Sequence, residues 1–458
     1  MNQSNRKRSI WLSKSICKLT LFSLIICPDI AFPEGNASSF LRVPPFLGRP
    51  TQSSITLNLV AGDQPIVCSV KLKSTGKPGM DSWRQTQKYS LDASLPAEIL
   101  LQSLLPGTLY PYQLHARFRD GGKLQMVTTQ AFMTQRSEPS PFSFAIISDS
   151  HITPFHRNRL ETLSRISSSV LTRKPEFLLM LGDNIQTFTS HGGPMSDPRY
   201  GPLLYLLLRR GLGNLPSSVP VFMVNGNWEG ENGWHPVRER EWARLARKTF
   251  IPNPDATTYP EGGSGNGDYY GFTWGDVLCL ILNVTGYTPS DHALNSPTGR
   301  KDDWTLGDKQ KAWLFQQLSE SNARWKLLFI HHTAGGNGGD EINSRYGRGG
   351  GRAANIGEQA LIHRWMQQFG VQALFYGHDH VFTDTIVDGI HYTCVGSAGA
   401  PWKFGRAETG YDTYWTPSGY TWVDVDAGSL TVSFIRPDER IAEGVVLHSY
   451  VMEQSKER

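Results

Sequence analysis

Five short segments that carry Asp, Asn or His come directly after five predicted strands, and this arrangement limits the fold more than any other feature of the sequence. The apolar runs read as strands are residues 142–147, 177–181, 221–224, 327–330 and 374–376. The segments that follow them are residues 148–151, 182–184, 225–229, 331–332 and 377–380. Open α/β sheets gather functional groups at the carboxyl ends of their strands, so these side chains are expected to meet in one pocket.

Each segment taken alone has a simpler explanation. Gly and Asn favour turns, and a His-x-His pair can be two exposed histidines on one face of a strand. Turn formation does not explain why Asp or His follows strand after strand. We therefore interpret the five segments together, as parts of one site.

The residue types are those of a site for two metal ions about 3.5–4 Å apart, which need a shared carboxylate and neutral imidazole or amide ligands. We predict Asp183 as the shared ligand. Side chains at i and i+2 leave an extended chain in the same direction, so Asp149 and His151 are predicted to bind one ion. The predicted sets are Asp149, His151, Asp183 and His380 for one ion, and Asp183, Asn227, His331 and His378 for the other. His332 is an open alternative to His331, because only one of two successive strand residues should face the site.

These segments resemble the pattern of the calcineurin-like metallophosphoesterases, which is Asp-x-His, Gly-Asp-x, Gly-Asn-His-Glu/Asp, His and Gly-His-x-His. The resemblance covers residues 142–400 and implies a four-layer α/β/β/α sandwich with a dinuclear centre at the loop ends of its two sheets. Further segments at residues 269–277, 325–328 and 388–401 are similar to the purple acid phosphatase branch. Residues 401–458 are predicted as a C-terminal β segment that completes this domain. Helical spacing of apolar residues predicts helices over the sheets, with Asp308 as the N-cap of one of them.

Residues 38–135 read as short β runs separated by Gly, Pro and Asp turns, which predicts an all-β sandwich ahead of the α/β domain. The clearest runs are residues 55–60, 66–71, 113–118 and 124–132. Residues 104–110 resemble the loop and corner tyrosine of fibronectin type III domains, whose phenol fastens a loop to a strand. No cluster of His, Asp or Glu falls in this part, so we expect a structural or positioning module.

The chain departs from the purple acid phosphatase pattern at Gln186, where that branch carries the tyrosine that ligates ferric iron. That branch also lacks a counterpart of His151. The two differences imply a centre without a visible charge-transfer band. Iron, zinc and manganese stay open as the two bound metals.

A second departure is Trp228, which takes the place of the histidine thought to protonate the leaving group in the family. An indole N–H is not a useful proton donor, and general-acid help typically contributes about 10²–10⁴-fold. We expect either a substitute acid, with Glu229, His235 and His332 as candidates, or a preference for acidic leaving groups. Trp228 could instead stack on an aromatic group of the substrate.

The glycine-rich residues 335–351 carry Arg345 and Arg348, and Arg352 follows just beyond. One interpretation is a mobile lid that offers guanidinium groups to phosphate oxygens. The other is a solvated flexible loop.

Residues 1–32 have the pattern of an export signal, because basic residues precede the apolar run 19–27 and Pro28 follows it. The alternative is a buried N-terminal helix. Export is favoured, because the run is too short to span a bilayer and no partner helix follows it. We expect an exported protein, periplasmic or secreted, with no transmembrane span in the mature chain. Beyond this segment the cysteines are Cys68, Cys279 and Cys394, too few for a disulfide framework.

The formal charge of +4 is spread along the chain without a lysine tract or interleaved aromatics, which gives no support for nucleic-acid binding. We expect a hydrolase that attacks small phosphate mono- or diesters with a metal-activated hydroxide, in which Asp183 is the least replaceable residue. The alternative is a phosphate-binding surface protein that keeps the metal site but lost turnover with the change to Trp228.

Overall fold

The computed structural model describes residues 40–73, 82–187, 197–289, 305–334, 358–402, 411 and 413–454, and the statements below concern these residues. They belong to one compact unit, Ser38–Arg458. The predicted export segment lies outside the described residues, and so does the glycine-rich loop with Arg345, Arg348 and Arg352. No helix within the described part of the chain is long and apolar enough to cross a membrane.

The first part of the described chain is an all-β sandwich. Its strands are β1 (Phe46–Gly48), β2 (Ser54–Val60), β3 (Ile66–Leu72), β4 (Arg84–Gln85), β5 (Tyr89–Leu91), β6 (Pro96–Gln102), β7 (Leu109–Phe118) and β8 (Gln125–Met133). One sheet has the order β1-β2-β6 and the other β4-β3-β7-β8, with β5 paired to β3. Both sheets contribute to one apolar core, which includes Leu57, Val70 and Leu114. The predicted all-β region is confirmed.

Tyr110 makes the contact that was predicted for a corner tyrosine. Its phenol oxygen accepts a hydrogen bond from the backbone N–H of Leu105 at 2.9 Å. Because Leu105 precedes β7 and Tyr110 lies within it, this bond fastens the loop to the strand. The assignment of the sandwich to the fibronectin type III class stays a prediction.

Two six-stranded sheets form the second part. The first sheet has the order β11-β10-β9-β18-β19-β20, with β9 (Phe142–Ile147), β10 (Leu178–Leu181), β11 (Val221–Val224), β18 (Tyr420–Val425), β19 (Ser429–Arg436) and β20 (Val445–Glu453). The second has the order β12-β13-β14-β15-β17-β16, with β12 (Tyr270–Trp274), β13 (Val277–Leu282), β14 (Trp325–Ile330), β15 (Ala373–Tyr376), β16 (Phe382–Val387) and β17 (Ile390–Val395).

The strand directions bring the five predicted ligand segments to neighbouring sheet edges. Strands β9, β10 and β11 are mutually parallel, as are β13, β14, β15 and β17. The carboxyl ends of each parallel group therefore lie along one edge of their sheet. The C-terminal strands β18, β19 and β20 extend the first sheet in antiparallel fashion from β9.

Helices cover the outer face of each sheet, and a shared apolar core fills the space between the sheets. The helices are α1 (Arg157–Arg173), α2 (Tyr200–Leu212), α3 (Leu215–Ser218), α4 (Val237–Phe250), α5 (Gly307–Glu320) and α6 (Gln359–Phe369). Leu314 and Ile362 pack α5 and α6 on the second sheet, while Ser169 of α1 contacts Tyr420 of the first. The predicted four-layer α/β/β/α sandwich is confirmed.

One predicted helix start is wrong. α5 begins at Gly307 after Leu306, whose side chain makes no capping hydrogen bond. Asp308 lies inside that turn, where its charge still favours the helix dipole but its carboxylate does not take the N-cap position.

A buried arginine of α2 joins the sandwich to the α/β domain. The guanidinium of Arg209 donates to Oδ1 of Asn58 at 2.6 Å and to the backbone oxygen of Pro44 at 2.9 Å. Asn58 in turn donates to the backbone oxygen of Thr249 at 3.0 Å. These buried polar contacts hold the sandwich in a defined position against α2 and α4.

Candidate metal centre

Six buried side chains from the strand ends meet in two groups of three. Within each group the potential ligand atoms all lie within 4.8 Å of one another. The groups are Asp149, His151 and His380, and Asp183, His331 and His378. Asp149, His151 and Asp183 follow strands of the first sheet, and the other three follow strands of the second, so the centre lies where the two sheet edges meet.

In the first group, three side chains point at a common position. The Nε2 atoms of His151 and His380 are 3.1 Å apart, and His380 Nε2 is 3.4 Å from Oδ1 of Asp149. Two ring nitrogens this close to a carboxylate oxygen have the arrangement of ligands around one cation.

Asp183 lies between the two groups. Its Oδ2 is 3.2 Å from Nε2 of His331 and 3.4 Å from Nε2 of His151. Asp183 therefore contacts a histidine of each set, as a carboxylate shared by two ions must.

Some buried polar atoms have no hydrogen-bond partner within the described part of the chain, among them Asp149 Oδ1 and His331 Nε2 of the two groups and Asn227 Oδ1 in the loop after β11. Buried polar atoms are nearly always satisfied, so such atoms call for an ion or another ligand. Carboxylate, amide oxygen and imidazole nitrogen are donor types that zinc, iron and manganese accept. The residues present therefore fit a dinuclear metal centre.

Backbone carbonyls fix the direction of two imidazoles. His331 Nδ1 donates to the backbone oxygen of Leu181 at 2.8 Å, and His380 Nδ1 donates to that of Pro401 at 3.1 Å. With the proton on Nδ1, the Nε2 lone pair of each ring faces the cluster, which is the usual support for a metal-binding histidine.

Five of the six clustered residues have a left-handed backbone. Ten non-glycine residues in the described part of the chain have positive φ, and half of them belong to the centre. They are Asp149 (φ 55°), His151 (φ 45°), Asp183 (φ 50°), His378 (φ 74°) and His380 (φ 58°). Such conformations cost roughly 1–3 kcal/mol each and collect at functional sites.

Glycines beside the ligands are required by close contacts. A Cβ at Gly226 would lie 2.3 Å from Oδ1 of Asp183, and a Cβ at Gly377 would lie 2.2 Å from Oγ of Ser148. The glycines of these segments therefore serve close packing of the strand ends as well as turn formation.

Charges within the cluster shift the pKa of its members. Burial would raise the pKa of Asp183, but the neighbouring His331 and His151 hold that pKa well below its usual range. Burial would lower the pKa of His331, whereas the carboxylate of Asp183 raises it to about 10. The buried carboxylates thus require positive charge beside them, which a proton or a metal ion can supply.

His331 and His332 have different places. His331 belongs to the second group, while His332 donates from Nδ1 to the backbone oxygen of Thr333 at 2.7 Å. The ring of His332 packs on that of His378, with centroids 4.2 Å apart. His332 therefore lies next to His378, at the border of the centre.

Trp228 stands at the rim of the first group. Its indole meets the ring of His151 edge-on, with centroids 5.7 Å apart, and remains partly exposed. Its backbone N–H donates to Oδ1 of Asp183 at 2.8 Å. His235 lies on the loop that follows, partly exposed, with Nδ1 donating to the backbone oxygen of Gly230 at 3.3 Å.

Glu229 is fully buried and accepts backbone N–H groups with both oxygens. Oε2 accepts from Asp183 at 2.9 Å and from Gly226 at 2.6 Å, while Oε1 accepts from Asn184 at 2.7 Å. Burial, together with the charge of Asp183, raises the pKa of Glu229 to about 7. These contacts hold the loops of Asp183 and Asn227 together.

Arg159, in the first turn of α1, is a further residue beside the loop of His151. Its Nη1 donates to the backbone oxygen of His151 at 3.0 Å and to Oε1 of Gln186 at 2.7 Å. The guanidinium is partly buried and has no acidic partner in the described residues. No motif marks this position, because the contact depends on where α1 begins relative to the loop of His151.

Comparisons with known proteins agree with this geometry. The sequence model of the calcineurin-like phosphoesterase family matches residues 142–382, more than half of the chain. No curated protein matches the chain at a significant level of sequence similarity.

A purple acid phosphatase from yellow lupin (Lupinus luteus) seeds has a similar structure, with a TM-score of 0.63 and 15% identity over 89% of this chain and 74% of that one. PhoD has a TM-score of 0.67 and 14% identity over 92% of both chains. At these identities the likeness concerns the fold. On the match of the family model, the chain belongs to the calcineurin-like phosphoesterase family.

Proposed function

We propose that this protein is a dinuclear metal-dependent hydrolase of small phosphate mono- or diesters. The observation that carries the proposal is the position of Asp183, whose carboxylate contacts a histidine of each buried group. A purely structural metal site does not need two sets of ligands that share one carboxylate. Two neighbouring ions, by contrast, are suited to stabilise the attacking and leaving oxygens of an in-line displacement at phosphorus.

The residues divide into two ligand sets joined by Asp183. We propose that Asp149, His151 and His380 hold one ion with Asp183, and that Asn227, His331 and His378 hold the other. When bound, the two ions would polarise the phosphoryl oxygens and activate the attacking water. The identity of the metals, among iron, zinc and manganese, does not follow from the donor types alone.

Arg159 is a candidate for contact with the substrate phosphate. A partly buried guanidinium without a carboxylate partner, beside the loop of His151, suits a phosphate oxygen better than bulk solvent. Arg159 would supply the kind of positive charge that a lid with Arg345, Arg348 and Arg352 is expected to offer, and these three arginines lie outside the described residues.

Protonation of the leaving group is the step for which this chain is least equipped. Glu229 is held by backbone donors on both oxygens, so we propose a positioning role for it. His332 contacts the ligand set through His378 and is the acid we favour, with His235 as the second candidate. Trp228 leaves an apolar surface at the rim, which favours substrates with an aromatic, acidic leaving group.

The test begins with metal analysis of the purified protein. Hydrolysis of p-nitrophenyl phosphate, bis-p-nitrophenyl phosphate and nucleotides is then measured with each metal restored. Asp183→Ala should lose bound metal and activity together, while Asp426→Ala, on the exposed turn between β18 and β19, should change neither. Full hydrolysis by Asp183→Ala would overturn the proposal.

A second candidate function is a phosphate-binding protein with little turnover, which the tryptophan at position 228 favours. Tight binding of inorganic phosphate by the metal-loaded protein, with no hydrolysis of any ester in the panel, would support this alternative.

We also propose export of the protein, on the pattern of residues 1–32. Fractionation of cells that express the full chain tests this, because the protein should leave the cytoplasm and lose its N-terminal segment.

A further inference from the structure

One residue of the chain lies between ligands of both groups. Asp379 follows His378, which belongs to the group of Asp183, and precedes His380, which belongs to the group of Asp149. Both histidines have left-handed backbones, so the turn that presents them is strained and must be held in place.

The carboxylate of Asp379 is held by a pair of tyrosines. The hydroxyl of Tyr411 donates to Oδ2 of Asp379 at 2.7 Å, and the hydroxyls of Tyr411 and Tyr376 are also 2.7 Å apart. Because Tyr411 donates to the carboxylate, Tyr376 donates to Tyr411. All three side chains are at least nine-tenths buried.

The two rings connect this carboxylate to the body of the fold. Tyr376 ends β15, and both tyrosines belong to the apolar core between the second sheet and its helices. The backbone N–H of Asp379 donates to the oxygen of Gly377 at 2.9 Å, which closes the turn tightly on itself. A buried carboxylate that accepts a phenol is well positioned, since its alternative is an unpaired charge in a low dielectric.

We propose that Asp379, held by Tyr411 and through it by Tyr376, is a positioning residue that sets the directions of His378 and His380 and so the affinity of both metal sites. This inference rests on the metal-binding half of the proposed function and not on turnover. The negative charge of Asp379, one residue from His378 and one from His380, also favours cations bound nearby.

The test compares two phenylalanine variants that keep both rings. Tyr411→Phe removes the hydroxyl that reaches Asp379, whereas Tyr376→Phe removes the outer hydroxyl and leaves the Asp379 contact intact. Metal affinity is measured by chelator competition, and cobalt(II)-substituted protein reports the ligand field by its visible spectrum. Thermal unfolding of the metal-free proteins shows whether the fold is preserved.

Loss of a hydrogen-bonding partner in the outer shell of a metal site typically lowers affinity by about 10–100-fold. We expect a loss of about this size at both sites in Tyr411→Phe, with a changed cobalt spectrum, and a smaller loss in Tyr376→Phe. Asp379→Asn, whose amide oxygen can still accept from Tyr411, should retain more affinity than Asp379→Leu.

An affinity of Tyr411→Phe within about twofold of wild type with an unchanged spectrum would overturn the inference. An equal loss in the two phenylalanine variants would do the same, because the direct contact would then have no special role. A wild-type protein that binds two ions and hydrolyses nothing would contradict the proposed function and leave this inference standing.

Discussion

The backbone N–H of Trp228 donates to Oδ1 of Asp183 at 2.8 Å, so the residue that replaces the expected histidine still supports the carboxylate shared by the two sets. This contact uses the main chain, and it does not depend on the identity of the side chain at position 228. Metal binding and leaving-group protonation are therefore separable at this residue.

Trp228→His should retain both metals, because the N–H that holds Asp183 remains. If departure of the leaving group limits turnover, the imidazole should raise kcat for alkyl phosphates by roughly 10²–10⁴-fold and change kcat for p-nitrophenyl phosphate little. The ratio of the two kcat values is the measurement. An unchanged ratio would indicate that another group already acts as the acid.

Gly226→Ala should disrupt the centre, because its Cβ would lie 2.3 Å from Oδ1 of Asp183. We expect loss of bound metal and a decrease of roughly 1–3 kcal/mol in the free energy of unfolding. Gly428→Ala is the matched control, since nothing lies within 4 Å of a Cβ there. Denaturant unfolding and metal analysis of both variants decide the point, and normal metal content in Gly226→Ala would contradict it.

Glu229→Gln distinguishes a positioning role from an acid role. The glutamine amide can accept backbone N–H groups with one oxygen only, so its NH₂ group would face N–H donors. We expect the free energy of unfolding to fall by roughly 1–3 kcal/mol and metal affinity to fall with it. An acid at this position would instead leave metal content and stability intact and lower kcat alone. Metal analysis beside kcat separates the two results.

The iron-loaded protein should show no tyrosinate charge-transfer band in its visible spectrum. Gln186 stands in the position of the ligating tyrosine, and its amide oxygen accepts from Arg159 at 2.7 Å. An absorption spectrum of the iron-reconstituted protein tests this. A visible band would mean that another tyrosine reaches the metals.

Cys68 should make folding stability depend on alkaline pH. Burial raises the pKa of its thiol to about 12, whereas an unfolded cysteine ionises near about 8.5. The native state keeps the thiol protonated, so stability is fully present below about pH 8.5 and is lost as the pH rises towards 12. Relative to Cys68→Val, wild-type protein should lose about 1.4 kcal/mol per pH unit above about pH 9 in denaturant titrations. Parallel curves for the two proteins would show that this thiol ionises in the native state.

Much of the fold is predictable from the sequence, because the long apolar runs can be buried only as central strands of a sheet. The strands β9, β10 and β11 were expected almost at their observed bounds, and the ligand segments after them meet as the rule for α/β sheets requires. In the sandwich, β6 was not found, because Ile99, Leu100 and Leu101 form one apolar run that hides the alternation of buried and exposed residues. The Asp308 cap was wrong because the preceding Gly307 already starts the helix.

Other features of the site depend on tertiary contacts that a sequence pattern does not contain. Arg159 reaches Gln186 only because α1 begins beside the loop of His151. Tyr411 meets Asp379 through the tertiary fold, and no periodicity in the sequence marks this contact. From its place beside Trp228, Glu229 is a candidate replacement acid, whereas the positioning role that we propose for it rests on its three backbone donors.

The left-handed backbones of the candidate metal centre have a consequence for the evolution of the family. Glycine adopts this conformation without strain, so a lineage that no longer needed the metals would gain stability by acquiring glycine at any of these positions. This chain has done so at none of them: Asp149, His151, Asp183, His378 and His380 all keep side chains that strain the backbone. Relatives that no longer bind the metals should have glycine at some of these five positions. Relatives that keep the strained Asp and His residues are the first to test for metal binding and hydrolysis.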